Sequence, residues 1–233
     1  MRNAMTQEEL NEALIAAAVA VNPDEVARLV KLGAGVDVEV DNVGRQPLHW
    51  VAELGCKDAV ELLIAMGAKV DATDRDGWQP LHYAARKGHR IVAELLIDKG
   101  AKVDAADDSG SQPLHDAAWS GSRDVVELLI ARGAQVEAAD NDGNRPLHYA
   151  ARRGNRDMVE LLLAYGANPV ALNKHGEVPR IRCRNRKIRG LLKRASLEWK
   201  TPALREAREQ KALAAHLARQ RQLGKMRKPA PTL

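Results

Sequence analysis

Asp74-Arg75-Asp76-Gly77-Trp78-Gln79-Pro80-Leu81-His82-Tyr83-Ala84-Ala85-Arg86-Lys87-Gly88 is the segment on which the reading of this chain turns. Its Asp-x-x-Gly opening signals a turn, because Asp can bond its own backbone and Gly accepts positive φ. Pro80 suits the first position of a helix, where its missing N–H costs nothing. Leu81 to Lys87 then predicts a short helix that Gly88 stops. Working outward, Pro-Leu-His recurs at Pro47, Pro113 and Pro146, so that the four copies lie 33 residues apart. In the same register stand Gly44, Gly77, Gly110 and Gly143, then Gly55, Gly88, Gly121 and Gly154, then Gly67, Gly100, Gly133 and Gly166. A second helix follows each first one, with apolar residues at helical spacing such as Val92, Leu95 and Leu96, or Val125, Leu128 and Leu129. Helices this short cannot bury an apolar face alone, so neighbouring units must stack to supply one another's core.

This period and motif resemble the ankyrin-repeat family. The resemblance implies an all-α repeat solenoid of helix-turn-helix units with β-turn fingers, and it covers residues 6–195. Within that span, residues 6–40 are expected to form an N-terminal cap, residues 41–172 four full repeats, and residues 173–195 a degenerate C-terminal cap. Residues 196–233 remain as a basic helical extension and tail. At the front, Thr6 with Glu9 is a capping-box pair, and Asn22 with Pro23 starts a second helix that Gly33 ends. Gln7, Glu8, Asn11 and Glu12 are expected to face solvent there. At the back, Gly176 and Pro179 keep the register but Arg180-Ile181 replaces Leu-His. One departure from the family lies before Pro-Leu-His, where Thr is usual and this chain has Gln46, Gln79, Gln112 and Arg145. Losing that hydroxyl cap costs about 1 kcal/mol per site, so the long Gln side chains are expected to bond elsewhere.

The repeat accounts for residues that would otherwise suggest chemistry. His49, His82, His115 and His148 occur once per repeat, too far apart to share one ion at a stacking distance of about 10 Å, and are expected to be structural. Glu61, Glu94, Glu127 and Glu160 share one outer-helix position and read as a solvated face. No catalytic, cofactor or metal constellation is left over, so the expectation is a binding protein and not an enzyme. What the family resemblance implies instead is a partner surface on the finger tips and the inner-helix face. Carried over by position, that surface comprises Arg45, Leu54, Arg75, Trp78, Arg86, Lys87, Trp119, Arg152 and Arg153. Trp78 and Trp119 are expected to be exposed anchors, since large aromatics and Arg often dominate binding energy. Trp50, Tyr83 and Tyr149 occupy one inner-helix column and read as packing, and Asp116 breaks that column.

Charge divides the chain. Residues 1–173 carry 18 Lys and Arg against 27 Asp and Glu, while residues 174–233 carry 18 against 4. Such asymmetry marks a basic interaction element, and Leu204 to Leu223 has the composition of a helix. The first expected partner is therefore a protein on the repeat face. The second is an acidic polymer, a nucleic acid or acidic cytoskeletal surface, held by residues 174–233. A self-docked tail resting on acidic tips at Asp74, Asp76, Asp107, Asp108, Asp140 and Asp142 is a further expectation. The two cysteines, Cys56 and Cys183, suggest neither a disulfide framework nor metal spacing, which favours a reducing, cytoplasmic setting. No apolar run approaches the roughly 20 residues of a membrane span. The stretch Ala13 to Val21 lacks the basic flank of a signal peptide because Glu8, Glu9 and Glu12 precede it. The chain is expected to be monomeric on its own.

Overall fold

The computed structural model describes residues 5–181 and 183–201, together with Glu206, Gln210 and Ala214. Apart from those last three positions, the helix expected over Leu204 to Leu223 lies outside the described residues. Every regular element described is an α-helix. The chain divides into two compact units, Met1–Leu128 and Leu129–Leu233.

The first unit begins with a helix pair, α1 (Gln7–Val19) and α2 (Pro23–Lys31). Thr6 and Glu9 close the expected capping box: the Thr6 N–H donates to Glu9 Oε2 at 2.7 Å, and the Glu9 N–H to Thr6 Oγ1 at 3.2 Å. The Asn22 side chain caps α2 by accepting the Glu25 N–H. Repeats follow as α3 (Pro47–Leu54) with α4 (Lys57–Ala65), α5 (Pro80–Lys87) with α6 (Arg90–Asp98), and α7 (Pro113–Ser120) leading to α8 (Arg123–Ala131). Each first helix starts at proline and ends against a left-handed glycine, as at Gly88 with φ 79°. The inner helices α3, α5 and α7 pack side by side. Each helix of this unit sets one leucine fully inside: Leu14, Leu29, Leu48, Leu63, Leu81, Leu96, Leu114 and Leu128. Each contributes about 2 kcal/mol of apolar burial. Between them lie buried alanines such as Ala52, Ala84, Ala85, Ala117 and Ala118, which let neighbouring inner helices approach closely.

The turns that precede the inner helices are built around one aspartate each. Asp74 accepts the N–H groups of Asp76 and Trp78 on Oδ1, at 3.0 and 2.8 Å. Asp41, Asp107 and Asp140 do the same in their own turns. Consecutive turns are stitched together: the Arg75 N–H donates to Val43 O, and the Asp108 N–H to Asp76 O, both at 3.0 Å. Gly77 is required there twice over. Its φ is 78°, and a Cβ would lie 2.8 Å from the backbone nitrogen of Asp108.

The second unit contains α9 (Pro146–Arg153), α10 (Arg156–Ala164) and α11 (Arg186–Trp199). Its turn at Asp140 is stitched to the next one by the Lys174 N–H donating to Asp142 O at 2.8 Å. There Asn173 replaces aspartate and accepts the N–H groups of His175 and Glu177. After that turn no inner helix is found among the described residues. The chain instead runs to Asn185, whose side chain caps α11. Helix α11 packs on α10 and buries Ile188, Leu192 and Ala195, spaced i, i+4 and i+7 along one stripe. The boundary expected at residue 195 falls inside this helix.

Several expectations about burial require correction. Asn11 was expected in solvent but is 6% exposed, with its side-chain oxygen accepting from Gln7. Glu127 was expected on a solvated face but is also 6% exposed, and Arg123 one turn earlier pairs with it at 3.1 Å. Its column is an ion-pair column throughout, with Lys57, Arg90 and Arg156 four residues before Glu61, Glu94 and Glu160. Asp74, Asp107 and Asp140 are buried in their turns and are not tip charges. The expectation that the Gln side chains bond elsewhere is not met by their carbonyl oxygens: Oε1 of Gln46, Gln79 and Gln112 is buried without a hydrogen-bond partner among the described residues.

Candidate partner-binding surface

The histidine column shows how the inner helices are capped without the family's threonine. His49 Nδ1 accepts the backbone N–H of Gln46 at 3.0 Å. His82, His115 and His148 take the equivalent N–H of Gln79, Gln112 and Arg145 at 3.1 Å. A backbone N–H only donates, so Nδ1 must be unprotonated and Nε2 must carry the hydrogen. That hydrogen is used: His49 Nε2 donates to Ala72 O and Trp78 O, His82 Nε2 to Ser111 O, and His148 Nε2 to Glu177 O. The rings of His49, His82 and His148 thus each tie their own helix start to the following turn. Burial pushes the pKa of His49, His82 and His148 below the ordinary histidine value, and the accepting carbonyls only partly oppose this.

Arg45 is not the free tip residue that position alone suggests. Its Nε lies 2.6 Å from Asp41 Oδ2, its Nη1 lies 2.7 Å from Glu53 Oε2, and its guanidinium sits 3.9 Å from the Trp50 ring centroid. The side chain is 18% exposed, so it acts as an internal cross-brace between turn and helix. Burial would raise the Asp41 pKa, but the backbone and guanidinium hydrogen bonds from Arg45 outweigh it and hold Asp41 below the usual value. Trp78 is likewise half-buried, with its ring 5.1 Å from Tyr83 and 5.8 Å from His82. It packs against its own helix, so the expectation of a free aromatic anchor is corrected at this position.

The C-terminal ends of the inner helices carry the remaining candidates of the first unit. Leu54 ends α3 and is 53% exposed. Arg86 and Lys87 end α5, and Lys87 reaches back to Glu53 at 3.1 Å. Trp119 in α7 is half-buried, and the Arg86 guanidinium lies 5.2 Å from its ring centroid. Arg86 Nη1 also lies 3.4 Å from Asp116 Oδ1. Leu54, Arg86, Lys87 and Trp119 therefore share one ridge, because α3 packs on α5 and α5 on α7. Arg75 sits apart on the turns, exposed, bridging to Glu39 and to Asn42 O. In the second unit Arg152 and Arg153 are exposed at the end of α9. A cleft of about 70 Å³ opens beside them, lined by Asp142, Tyr149, Arg152, His175 and Pro179 among others.

Asp116 is the residue whose meaning position alone did not disclose. It is 3% exposed, and its Oδ2 has no hydrogen-bond partner among the described residues. Burial raises its pKa to about 8 despite Arg86, with Asp107 adding to the rise. The signal was present in the sequence as a break in the Trp50, Tyr83, Tyr149 column. Among the described residues no group of three or more His, Cys, Asp and Glu could hold a metal ion, and no helix is long and apolar enough to cross a membrane.

Comparison with known proteins agrees with this geometry. Models of ankyrin repeats in three copies match residues 2–74 and 66–140, and a model of ankyrin repeats in many copies matches residues 124–163. No curated protein matches the chain. Period, helix pairs, stitched turns and family models coincide over more than half of the sequence, and the chain belongs to the ankyrin-repeat family, a non-catalytic scaffold.

Proposed function

We propose that this chain is a protein-interaction module that grips a protein partner across the turn tips and the inner-helix ends. The observation that carries the reading is the Arg86 and Trp119 pair. An aromatic ring half out of the core, with a guanidinium 5.2 Å from its centre, offers a partner both flat apolar area and a directional charge. Side chains of these two types recur at the centres of interfaces. Leu54 extends the same ridge as an exposed apolar neighbour. Lys87 adds positive charge to this ridge, which suits a partner surface that carries carboxylates; within the second unit, Arg152 and Arg153 offer the same charge at the end of α9. Arg75 contributes from the turns, whereas Arg45 and Trp78 support the face from beneath. On this reading the described part of the chain acts as a single-copy scaffold, in a reducing, cytoplasmic setting.

The test is affinity purification at physiological salt with nuclease added, comparing the parent with Trp119→Ala and Arg86→Ala. The expected result is a defined protein that co-elutes with the parent and is lost from both variants while their melting temperatures stay close to the parent's. Retention of the same protein by both variants would remove the inner-helix face from the interface.

A further inference from the structure

A second surface, separate from the repeat face and independent of the reading above, lies on the closing cap. Arg180 and Ile181, on the loop before α11, form an open groove of about 470 Å³ with Arg186, Arg189, Gly190 and Lys193. All four cations are exposed, and none has an ion-pair partner among the described residues. This grouping works against the fold. Arg186 and Arg189 are three apart and Arg189 and Lys193 four apart, spacings at which like charges on a helix repel. Arg186 and Lys187 occupy the first turn of α11, which contains no acidic residue, although the helix dipole disfavours cations there.

Gly190 supplies an independent observation. It sits inside α11, where glycine weakens a helix relative to alanine. Neither conformation nor crowding demands it: no positive φ is found there, and an added Cβ would meet no described atom within 4 Å. A glycine that the fold does not need, set among unpaired cations, fits the close approach of a ligand to the helix backbone.

We propose that this groove binds the phosphodiester backbone of a nucleic acid. Arg186 to Lys193 spans about 10 Å of helix axis at 1.5 Å per residue. One strand of a duplex presents about three phosphates over that length, against three cations on the helix and Arg180 beside them. Three of the four cations are arginines, whose planar fork matches a phosphate in bidentate fashion. A membrane surface fits less well, because the apolar stripe of α11, Ile188, Leu192 and Ala195, is spent inside the fold. A folded protein fits less well too, since Ile181 alone would have to supply the apolar centre that protein interfaces use.

The experiment measures binding of the full chain to labelled single-stranded RNA, duplex RNA and duplex DNA as salt is varied. The parent is compared with a charge variant combining R180Q, R186Q, R189Q and K193Q, and with a control combining K31Q, K69Q, K99Q and K102Q. The charge variant is expected to lose about tenfold or more in affinity near physiological salt, and to flatten the slope of log affinity against log salt by about 3. The control should bind like the parent, and the three nucleic acids identify which backbone is preferred. Gly190→Gln keeps the charge and fills the groove, so it should weaken binding several-fold with a melting temperature equal to or above the parent's. Equal binding by the charge variant, equal loss by the control, undiminished binding by Gly190→Gln, or preference for phosphatidylserine vesicles over every nucleic acid would each overturn the proposal.

Discussion

The Tyr83 hydroxyl donates to Asp74 Oδ2 at 2.6 Å, completing the hydrogen bonding of the carboxylate that builds its turn. Tyr149 does the same for Asp140 at 2.7 Å. Burial and the Asp74 carboxylate hold the Tyr83 pKa far above the ordinary phenol value, so this donor keeps its proton at any physiological pH. Tyr83→Phe leaves the ring but removes the donor. We expect it to lower stability by about 1.5–3 kcal/mol, the range for a hydrogen bond to a charged group, read as a shift in the denaturation midpoint.

The third repeat lacks that tyrosine and has Asp116 instead, which makes stability fall as pH rises. A carboxyl whose folded pKa is about 8 holds its proton when folded but releases it near pH 4 when unfolded. The unfolded state is therefore favoured progressively across that interval, by up to about 1.4 kcal/mol per pH unit. Asp116→Asn keeps the shape and cannot ionise. It is expected to be markedly more stable than the parent at pH 8 and near parity at pH 4, as measured by chemical denaturation at each pH. A constant difference across the range would contradict the assignment.

The histidine column sets the opposite limb. Because folding lowers the pKa of His49, His82 and His148, their neutral form contributes stability above the unfolded value near 6.5, which is lost as pH falls below it. The parent should therefore be most stable near pH 6.5, declining on both sides. His82→Ala strands the Gln79 N–H and the Ser111 carbonyl and opens a cavity. A loss of about 2–4 kcal/mol is expected.

Two features of the N- and C-terminal caps can be tested by stability. Val21 is the one described residue other than glycine with positive φ, at 53°, a conformation that costs a β-branched side chain about 1–2 kcal/mol. Val21→Gly should raise the melting temperature. Conversely, Leu192→Ala on α11 should lower it, by about 2–4 kcal/mol of stability, because that leucine closes the apolar end of α10.

Much of this architecture was legible because an ankyrin repeat places each residue type in a fixed column. Turn aspartates, proline starts, glycine stops and the Thr6 capping box follow from local chemistry, which period and composition report. Column membership does not reveal where a long side chain goes. Arg45 and Arg75 are both turn arginines of unit 1, yet Arg45 folds inward over Trp50 because Asp41 and Glu53 flank it, while Arg75 stays exposed. Trp78 was readable as an aromatic at a tip, but not as a ring with Tyr83 and His82 beneath it. The basic groove was hidden for a related reason: the charge excess of residues 174–233 is plain in the sequence, whereas the convergence of Arg180 on α11 depends on the loop that replaces an inner helix.

Site-specific photocrosslinking tests the central claim, partner capture on the inner-helix ends, most directly. A benzophenone side chain would be placed singly at Leu54, at Trp119 and at Ile91, which is 62% exposed on the outer helix α6. One and the same partner polypeptide is expected to crosslink from positions 54 and 119, and none from position 91. Crosslinking from Ile91 with none from Leu54 or Trp119 would contradict it.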